Sequence, residues 1–374
     1  MRLLILDQFS DPGGAQQALL ELLPAVRARG WDALVGMPGD GPLFGRIAAL
    51  GFETAGVDCG PYRSGRKSPM DAARFLTATP RLLRQVRLLA RQSRAALVYV
   101  NGPRMLPAVV GLSVPVVFHS HNYVVGRLAR WVAGEALRRA DASVIAACRF
   151  AGEPWTRFVG RERVTVIYNG VAGPPRAGER RRAGPRIGCI GRIAPEKGQR
   201  EFLRAASIVH RALPQCQFIV CGAPLFSDAR ARRYAAQVRA EAAGLPVEFS
   251  GWVADVHAAL AGLDLLLVPS TVPEATPRVI LEAYAAGVPV IAFPSGGIPE
   301  IVASQFGMLA DSPEEMAALA IELLTSPPES LARMSAAARE EWRRRFTLDR
   351  YRQDVLATIE CAARGSSARE LTKA

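Results

Sequence analysis

Apolar positions in this chain come in short bursts separated by segments of helical period. The first burst, residues 2–9, ends in Asp11-Pro12-Gly13-Gly14, and a helical pattern then runs from about residue 15 to residue 29. Apolar runs near 32–37, 95–100, 115–118, 142–147 and 164–168 read as further strands with helical patterns between them. That alternation predicts a parallel sheet with helices on both faces. The stretch 173–185, GPPRAGERRRAGP, has no apolar period and reads as an exposed linker. A second series opens at 186–190 and continues through 218–222, 247–253 and 263–268 before the chain turns helical after residue 310. The pattern predicts two α/β domains, 1–173 and 174–346, followed by a last helix within 347–374 and a frayed tail from Gly365.

One helical segment, 79–94, stands out by its charge. Arg81, Arg84, Arg87, Arg91 and Arg94 recur every three or four residues, while Leu82, Leu83, Val86 and Leu89 cover another face. Thr79-Pro80 fits a helix entry, and the preceding residues 60–68, with Arg63, Arg66 and Lys67, read as a mobile basic loop. A solvated face on a core-packed helix explains the arginines. The alternative is docking on anionic lipid headgroups.

The second domain carries the densest chemistry. After the apolar run 263–268, Thr276 can cap a helix, Pro277 suits its first position, and Gly287 with Pro289 stops it. Such a helix starts at the carboxyl end of a buried strand, where its free N–H groups and dipole favour an anion. Glu274 lies in the loop before it. Glu282 lies within it among Val279, Ile280, Leu281 and Ala283, so its carboxylate is expected to be partly buried and to need a donor, which sugar or ribose hydroxyls could supply. A capped helix with one salt-bridged glutamate would look the same.

Three other strand ends have similar promise. Gly13 and Gly14 would let backbone approach a ligand closely. His119-Ser120-His121-Asn122 gathers two of the chain's four histidines. Gly191-Arg192-Ile193-Ala194-Pro195-Glu196-Lys197-Gly198 offers two cations that would together neutralise a diphosphate. The chain uses lysine only at Lys67, Lys197 and Lys373, which suggests that position 197 needs a compact point charge.

A length of 374 residues with 49% apolar content supports two cores. No apolar run is long enough to span a membrane, and MRLLILDQF enters a strand pattern with no signal-peptide layout, so a cytoplasmic protein is expected. Six cysteines without a Cys-x-x-Cys pair read as reduced core thiols, and no zinc or other metal site is expected. The net charge is +13. Residues 1–173 hold 22 Lys and Arg against 12 acids, a net of +10 that leaves +3 for the rest. Because nearly every cation is arginine, the excess reflects codon usage as much as a polyanionic partner, and nucleic acid is not expected as one. No Gly-Lys-Ser/Thr occurs, which excludes a P-loop.

These segments together resemble the retaining glycosyltransferases of family 4, which have the GT-B fold. The likeness is carried by EATPRVILE followed by AYAAGVPVIAF, by Gly296, Gly297, Pro299 and Glu300, by the Gly-Arg-x-x-x-x-Lys-Gly loop, by the glycine pair and by the histidine strand end. A common variant has Gly-Phe after the first glutamate, where this chain has Ala275, Thr276 and Pro277. The resemblance implies two facing Rossmann-like domains with parallel sheets and an interdomain cleft, the final helix returning to the first domain. It also implies sugar transfer from a UDP- or GDP-sugar to a sugar, glycan or lipid-linked acceptor, with no cofactor beyond the nucleotide sugar and no metal.

By the same resemblance, Glu274 and His121, or His119 in its place, meet the donor sugar. Arg192, Lys197, Gly13, Gly14, Thr276, Pro277 and Arg278 meet the diphosphate. Glu282, Gly222, Trp252, Val253 and Val279 meet the nucleotide. Synthesis of cell-envelope polysaccharide, lipopolysaccharide or glycolipid at the inner face of the cytoplasmic membrane is the expected setting. A GT-B sugar-nucleotide epimerase and a non-catalytic nucleotide-sugar binding protein are the rival readings.

Overall fold

The first apolar burst becomes β1 (Arg2–Leu6), which lies inside a seven-stranded, all-parallel sheet. β2 (Asp32–Met37) and β3 (Glu53–Gly56) extend from one side of it. On the other side come β4 (Leu97–Val100), β5 (Val116–Ser120), β6 (Ser143–Ala146) and β7 (Val164–Val166). Strand order therefore reverses between β1 and β4, the position at which open α/β sheets bind ligands. The helices of this part are α1 (Gly14–Ala28), α2 (Leu43–Ala49), α3 (Pro69–Gln92), α4 (Arg127–Arg139) and α5 (Arg149–Val159).

The second series builds a six-stranded parallel sheet from β8 (Arg186–Ile190), β9 (Gln217–Cys221), β10 (Val247–Gly251), β11 (Leu265–Val268), β12 (Val290–Ala292) and β13 (Gly307–Leu309). Their order is β10-β9-β8-β11-β12-β13, which reverses between β8 and β11. α6 (Gln199–Ala212), α7 (Ala229–Glu241), α8 (Val256–Ala261), α9 (Arg278–Ala286), α10 (Pro313–Thr325) and α11 (Pro328–Arg345) accompany it. The last described element is α12 (Leu348–Ala363).

This computed structural model describes residues 1–59, 69–174, 184–224 and 229–365. The chain divides into unit 1, Met1–Asn169 with Leu348–Ala374, and unit 2, Gly170–Thr347. α12 belongs to unit 1, where Tyr351, Val355 and Ile359 join Leu19, Leu23 and Val26 of α1 in one core beneath the sheet. The opposite face of that sheet buries Leu82 and Val86 of α3, Ala133 and Leu137 of α4, and Trp155 of α5. Unit 2 has its own core, with Phe202, Phe218, Leu265 and Leu267 at its centre. The six cysteines are free thiols, five of them buried. The basic loop 60–68, most of the linker 173–185 and the tail beyond Gly365 lie outside the described residues.

Three local expectations are corrected. The basic helix does not begin at Thr79-Pro80: α3 starts at Pro69 and carries Pro80 in its interior. Proline removes the backbone donor that the Leu76 carbonyl would meet, while the Thr79 hydroxyl donates to the neighbouring Phe75 carbonyl at 2.7 Å. Thr276 does not cap α9, because Pro277 occupies the cap position and the helix opens at Arg278. β5 does not end at Phe118 but runs on through His119 and Ser120. Alternation along the strand turns His119 to the same face as Val117, towards Tyr351 of α12, with ring centroids 6.2 Å apart.

Candidate functional site

At the carboxyl end of the unit 2 sheet the loops after β8, β9, β11 and β12 are tied together by backbone. After β8, Gly191 N–H donates to the Cys221 carbonyl at 2.9 Å and Ile193 N–H to the Ala223 carbonyl at 3.0 Å. Pro195–Lys197 then form one 3-10 turn, and Gly198, at φ 68°, opens α6. A side chain at Gly198 is excluded, since a Cβ there would lie 1.8 Å from the Pro269 carbonyl oxygen. That contact holds the loop after β8 against the loop after β11. Thr271 strengthens it, donating its N–H to the Glu196 carbonyl and its hydroxyl to the Pro195 carbonyl, each at 3.1 Å.

The junction brings Lys197 to Glu274. Their Nζ and Oε2 atoms are 2.6 Å apart, with 29% and 19% of the side chains exposed, and the Ser270 hydroxyl donates to the other carboxylate oxygen. Glu274 is also fixed through its backbone. Gly297 N–H donates to its carbonyl at 2.7 Å, and a Cβ on Gly296 (φ 64°) would come within 2.2 Å of the same oxygen. Gly296-Gly297 thus form a seat for Glu274. In the same loop as Lys197, Arg192 pairs with Glu196.

The remaining unit 2 candidates surround this pair unevenly. Arg278 donates to the Gly170 carbonyl at 3.2 Å and lies 3.7 Å from Glu282, so the partly buried Glu282 finds its cation one helical turn away. Thr276 and Pro277 are buried and Val279 and Val253 half-buried, whereas Trp252 stands 62% exposed just beyond β10. Gly222 lies against the loop after β8, since a Cβ there would approach the Gly191 carbonyl oxygen to 1.9 Å. Gln199 carried no recognisable signal, yet it is fully buried. It donates to the Arg192 carbonyl at 2.8 Å and accepts from Ala194 N–H at 3.2 Å, bracing the loop from within.

Unit 1 presents a different arrangement at the carboxyl ends of β1, β4 and β5. Asp7 is fully buried and accepts from Gln16 at 2.8 Å, from Asn101 at 2.6 Å and from Phe9 N–H at 2.9 Å. Burial pushes its carboxyl up to about 6, against the pull of those hydrogen bonds. With its amide nitrogen given to Asp7, Asn101 offers its oxygen to Nε2 of His121 at 2.7 Å. His121 therefore donates from Nε2. Its ring stacks on His119 with centroids 3.7 Å apart.

His119 is fully buried and its Nδ1 shares a short hydrogen bond with the Tyr99 hydroxyl. Burial first and His121 second hold its basicity well below the usual imidazole range, while burial keeps the Tyr99 phenol protonated. His119 is thus neutral inside the sheet, and His121 is the one that reaches partial exposure. Gly13 is extended at the N-cap of α1, where a Cβ would meet Gln16 Oε1 at 2.8 Å, whereas Gly14 has open space around it. Asp7, Gln16, Tyr99 and Asn101 escaped sequence reasoning.

Among the described residues no helix is long and apolar enough to cross a membrane, and no three His, Cys, Asp or Glu side chains converge as metal ligands.

Comparison with known proteins accounts for both halves. A family model described as Glycosyltransferase Family 4 matches residues 12–172, and one described as Glycosyl transferases group 1 matches residues 184–326. Among curated relatives, a GDP-mannose-dependent monoacylated alpha-(1-6)-phosphatidylinositol monomannoside mannosyltransferase of Corynebacterium glutamicum is 34% identical over 165 residues, 41% of this chain and 42% of the relative. A D-inositol 3-phosphate glycosyltransferase of Segniliparus rotundus is 34% identical over 188 residues, 48% of this chain and 41% of the relative. The chain spans less than half the length of these curated relatives. Among solved structures, Anabaena HepE in complex with UDP superposes with a TM-score of 0.80 at 24% identity, covering 96% of this chain and all of that one. With two Rossmann-like units and two matches that between them cover most of its length, the chain belongs to glycosyltransferase family 4, among the glycosyl transferases of group 1, and has the GT-B class of fold.

Proposed function

We propose that this chain transfers a sugar from a UDP- or GDP-sugar to an acceptor hydroxyl with retention at the anomeric carbon. The observation that carries the proposal is the Lys197–Glu274 bond at the switch point of the unit 2 sheet. An ammonium has three donors and Lys197 uses one of them on Glu274, so two remain for diphosphate oxygens. Glu274 accepts from Lys197 and Ser270 and keeps lone pairs for sugar hydroxyls. Arg192 and the leading N–H groups of α9 add positive potential for the departing diphosphate.

In the proposed step the bond from the anomeric carbon to the diphosphate oxygen breaks. The acceptor oxygen attacks the same face, and its proton passes to the leaving diphosphate. The cations meet the charge that develops, so the step as written calls for no metal. His121, oriented by Asn101, is assigned a hydrogen bond to a sugar hydroxyl. Trp252, Val253, Gly222, Val279 and Glu282 are assigned to the nucleotide, while Gly13, Gly14, Thr276, Pro277 and Arg278 are assigned to the diphosphate.

GDP-mannose in the Corynebacterium relative and UDP in the HepE complex make UDP-sugars and GDP-mannose the first donors to try. The acceptor is proposed to be a glycan or lipid-linked sugar at the inner face of the cytoplasmic membrane. Two features of unit 1 support a lipid surface: the arginine face of α3, and the exposed Val125, Leu128 and Trp131 at the start of α4, which packs on the same face of the sheet.

The test is to incubate the protein with radiolabelled UDP- and GDP-sugars and a membrane lipid extract. Label moving to an acceptor supports transfer. A changed free sugar nucleotide would indicate an epimerase instead, and binding without turnover a silent receptor.

A further inference from the structure

A second cation cluster lies at the opposite edge of the unit 1 sheet, and the donor chemistry leaves it unused. A groove of about 470 Å³ is lined by Arg87, Arg91 and Arg94 on one side and by the loop 111–114 on the other. Arg94 precedes β4 and Val114 precedes β5, so the groove sits at the amino ends of these strands. His121 and Asn101 follow their carboxyl ends. A five-residue strand at roughly 3.3 Å per residue puts these edges about 15 Å apart. One small ligand cannot occupy both.

We infer that this groove is a phosphoryl-anion site, built for a ligand with two or more phosphoryl groups or for the phosphate of a lipid headgroup. Arg87 and Arg91 lie one turn apart on α3, and Arg94, at φ 49° just past the end of the helix, joins them in the same lining. Arg87 is anchored, donating to the Val110 carbonyl at 3.3 Å, and Gly111 (φ 75°) lets the loop pass beneath it, since a Cβ there would lie 3.2 Å from the guanidinium. Ser113 adds a hydroxyl to the lining, which contains no carboxylate. Among the described residues none of the three arginines takes part in an ion pair, whereas Arg81 on the same helix meets Asp58 at 3.0 Å.

Like charges one turn apart oppose helix formation, so the Arg87–Arg91 pair costs stability that a bound anion offsets. The negative end of the helix dipole favours a cation there, but it does not call for three around a cavity. Guanidinium forks match phosphate oxygens two at a time, and the volume exceeds what a single ion fills. Leu88, 54% exposed on the same helix, offers an apolar neighbour for a lipid source. None of this depends on the donor reading.

The experiment compares wild type, Arg91→Gln with Arg94→Gln, and Ser113→Asp, which attacks the groove from its loop side. Inorganic tripolyphosphate is titrated at low salt, and sedimentation with phosphatidylglycerol vesicles is measured in parallel. Arg333→Gln with Arg343→Gln on α11 controls for loss of charge alone, and Lys197→Ala controls for binding at the unit 2 edge. A tenfold or greater loss of tripolyphosphate affinity in both groove variants, found equally on the Lys197→Ala background and with the α11 control near wild type, establishes a site for soluble polyphosphate. Loss confined to phosphatidylglycerol vesicles assigns the site to a lipid phosphate. Unchanged binding in both assays, or an equal loss in the α11 control, overturns the inference.

Discussion

At the carboxyl end of the unit 2 sheet the polar groups are ions in pairs: Lys197 with Glu274, Arg192 with Glu196, Arg278 with Glu282. At the same end of the unit 1 sheet they are buried groups held by hydrogen bonds, Asp7 to Asn101 to His121 and His119 to Tyr99. Exposure decides the difference. The unit 2 pairs keep contact with water, so each charge remains solvated and can exchange its partner for a ligand. Asp7, His119 and Asn101 are 0–1% exposed, and charge there would carry a desolvation cost of several kcal/mol. One sheet edge is therefore suited to receiving an anion, and the other to holding one imidazole in a fixed orientation.

The comparison breaks first at Gly198. Its φ of 68° and the 1.8 Å approach of a Cβ to the Pro269 carbonyl make Gly198→Ala incompatible with the present union of the two loops. We expect a loss of about 4 kcal/mol or more in the stability of unit 2. The corresponding change in unit 1, Gly14→Ala, meets nothing within 4 Å at the first position of α1 and is expected to stay within about 1 kcal/mol of wild type, on the stabilising side. Denaturant unfolding of both variants checks the contrast. Equal effects would mean that the loop contact does not organise the unit 2 edge.

Next in size is Lys197→Ala. Removing the donor that bridges to Glu274 is expected to lower sugar transfer about 100-fold and to weaken nucleoside diphosphate binding, while the melting temperature changes little because the side chain is partly exposed. Enzyme assays and thermal shift with UDP and GDP provide the measurement. Wild-type nucleotide affinity in this variant would remove Lys197 from the donor site.

The same contrast governs what could be read in the sequence. The unit 2 candidates are legible in the sequence because they are contiguous: Arg192 and Lys197 fall in one eight-residue loop, and Glu274 and Glu282 flank one short helix start. The network of unit 1 is not, since Asn101 reaches Asp7 across 94 positions and only the sheet brings them together. In the sequence the apolar run stops at Phe118, and His119 opens the polar stretch that follows. Hydrogen-bonded to Tyr99 and neutral, it extends the apolar strand instead. The start of α3 is hidden in the sequence for a related reason. Thr79-Pro80 is an entry-like pair, but the helix carries Pro80 in its interior at the cost of one backbone donor.

The smallest expected effect tests the buried half of the comparison through pH. Asp7 titrates near 6 in the folded chain against an ordinary value of 3.8, so the fold favours its protonated form. Between those two values the folded chain binds a proton that the unfolded chain has released, and stability from this group falls as pH rises. It is fully present below about pH 4 and lost above about pH 6, with an amplitude on the order of 2 to 3 kcal/mol. Asp7→Asn cannot ionise. The stability of wild type minus that of the variant should therefore shrink as pH is raised from 4 to 7, whatever constant offset the rearranged hydrogen bonds to Gln16 and Asn101 introduce. Urea unfolding at half-unit steps measures it, and a difference that stays flat across this range would mean that Asp7 is not held as a desolvated acid beneath His121.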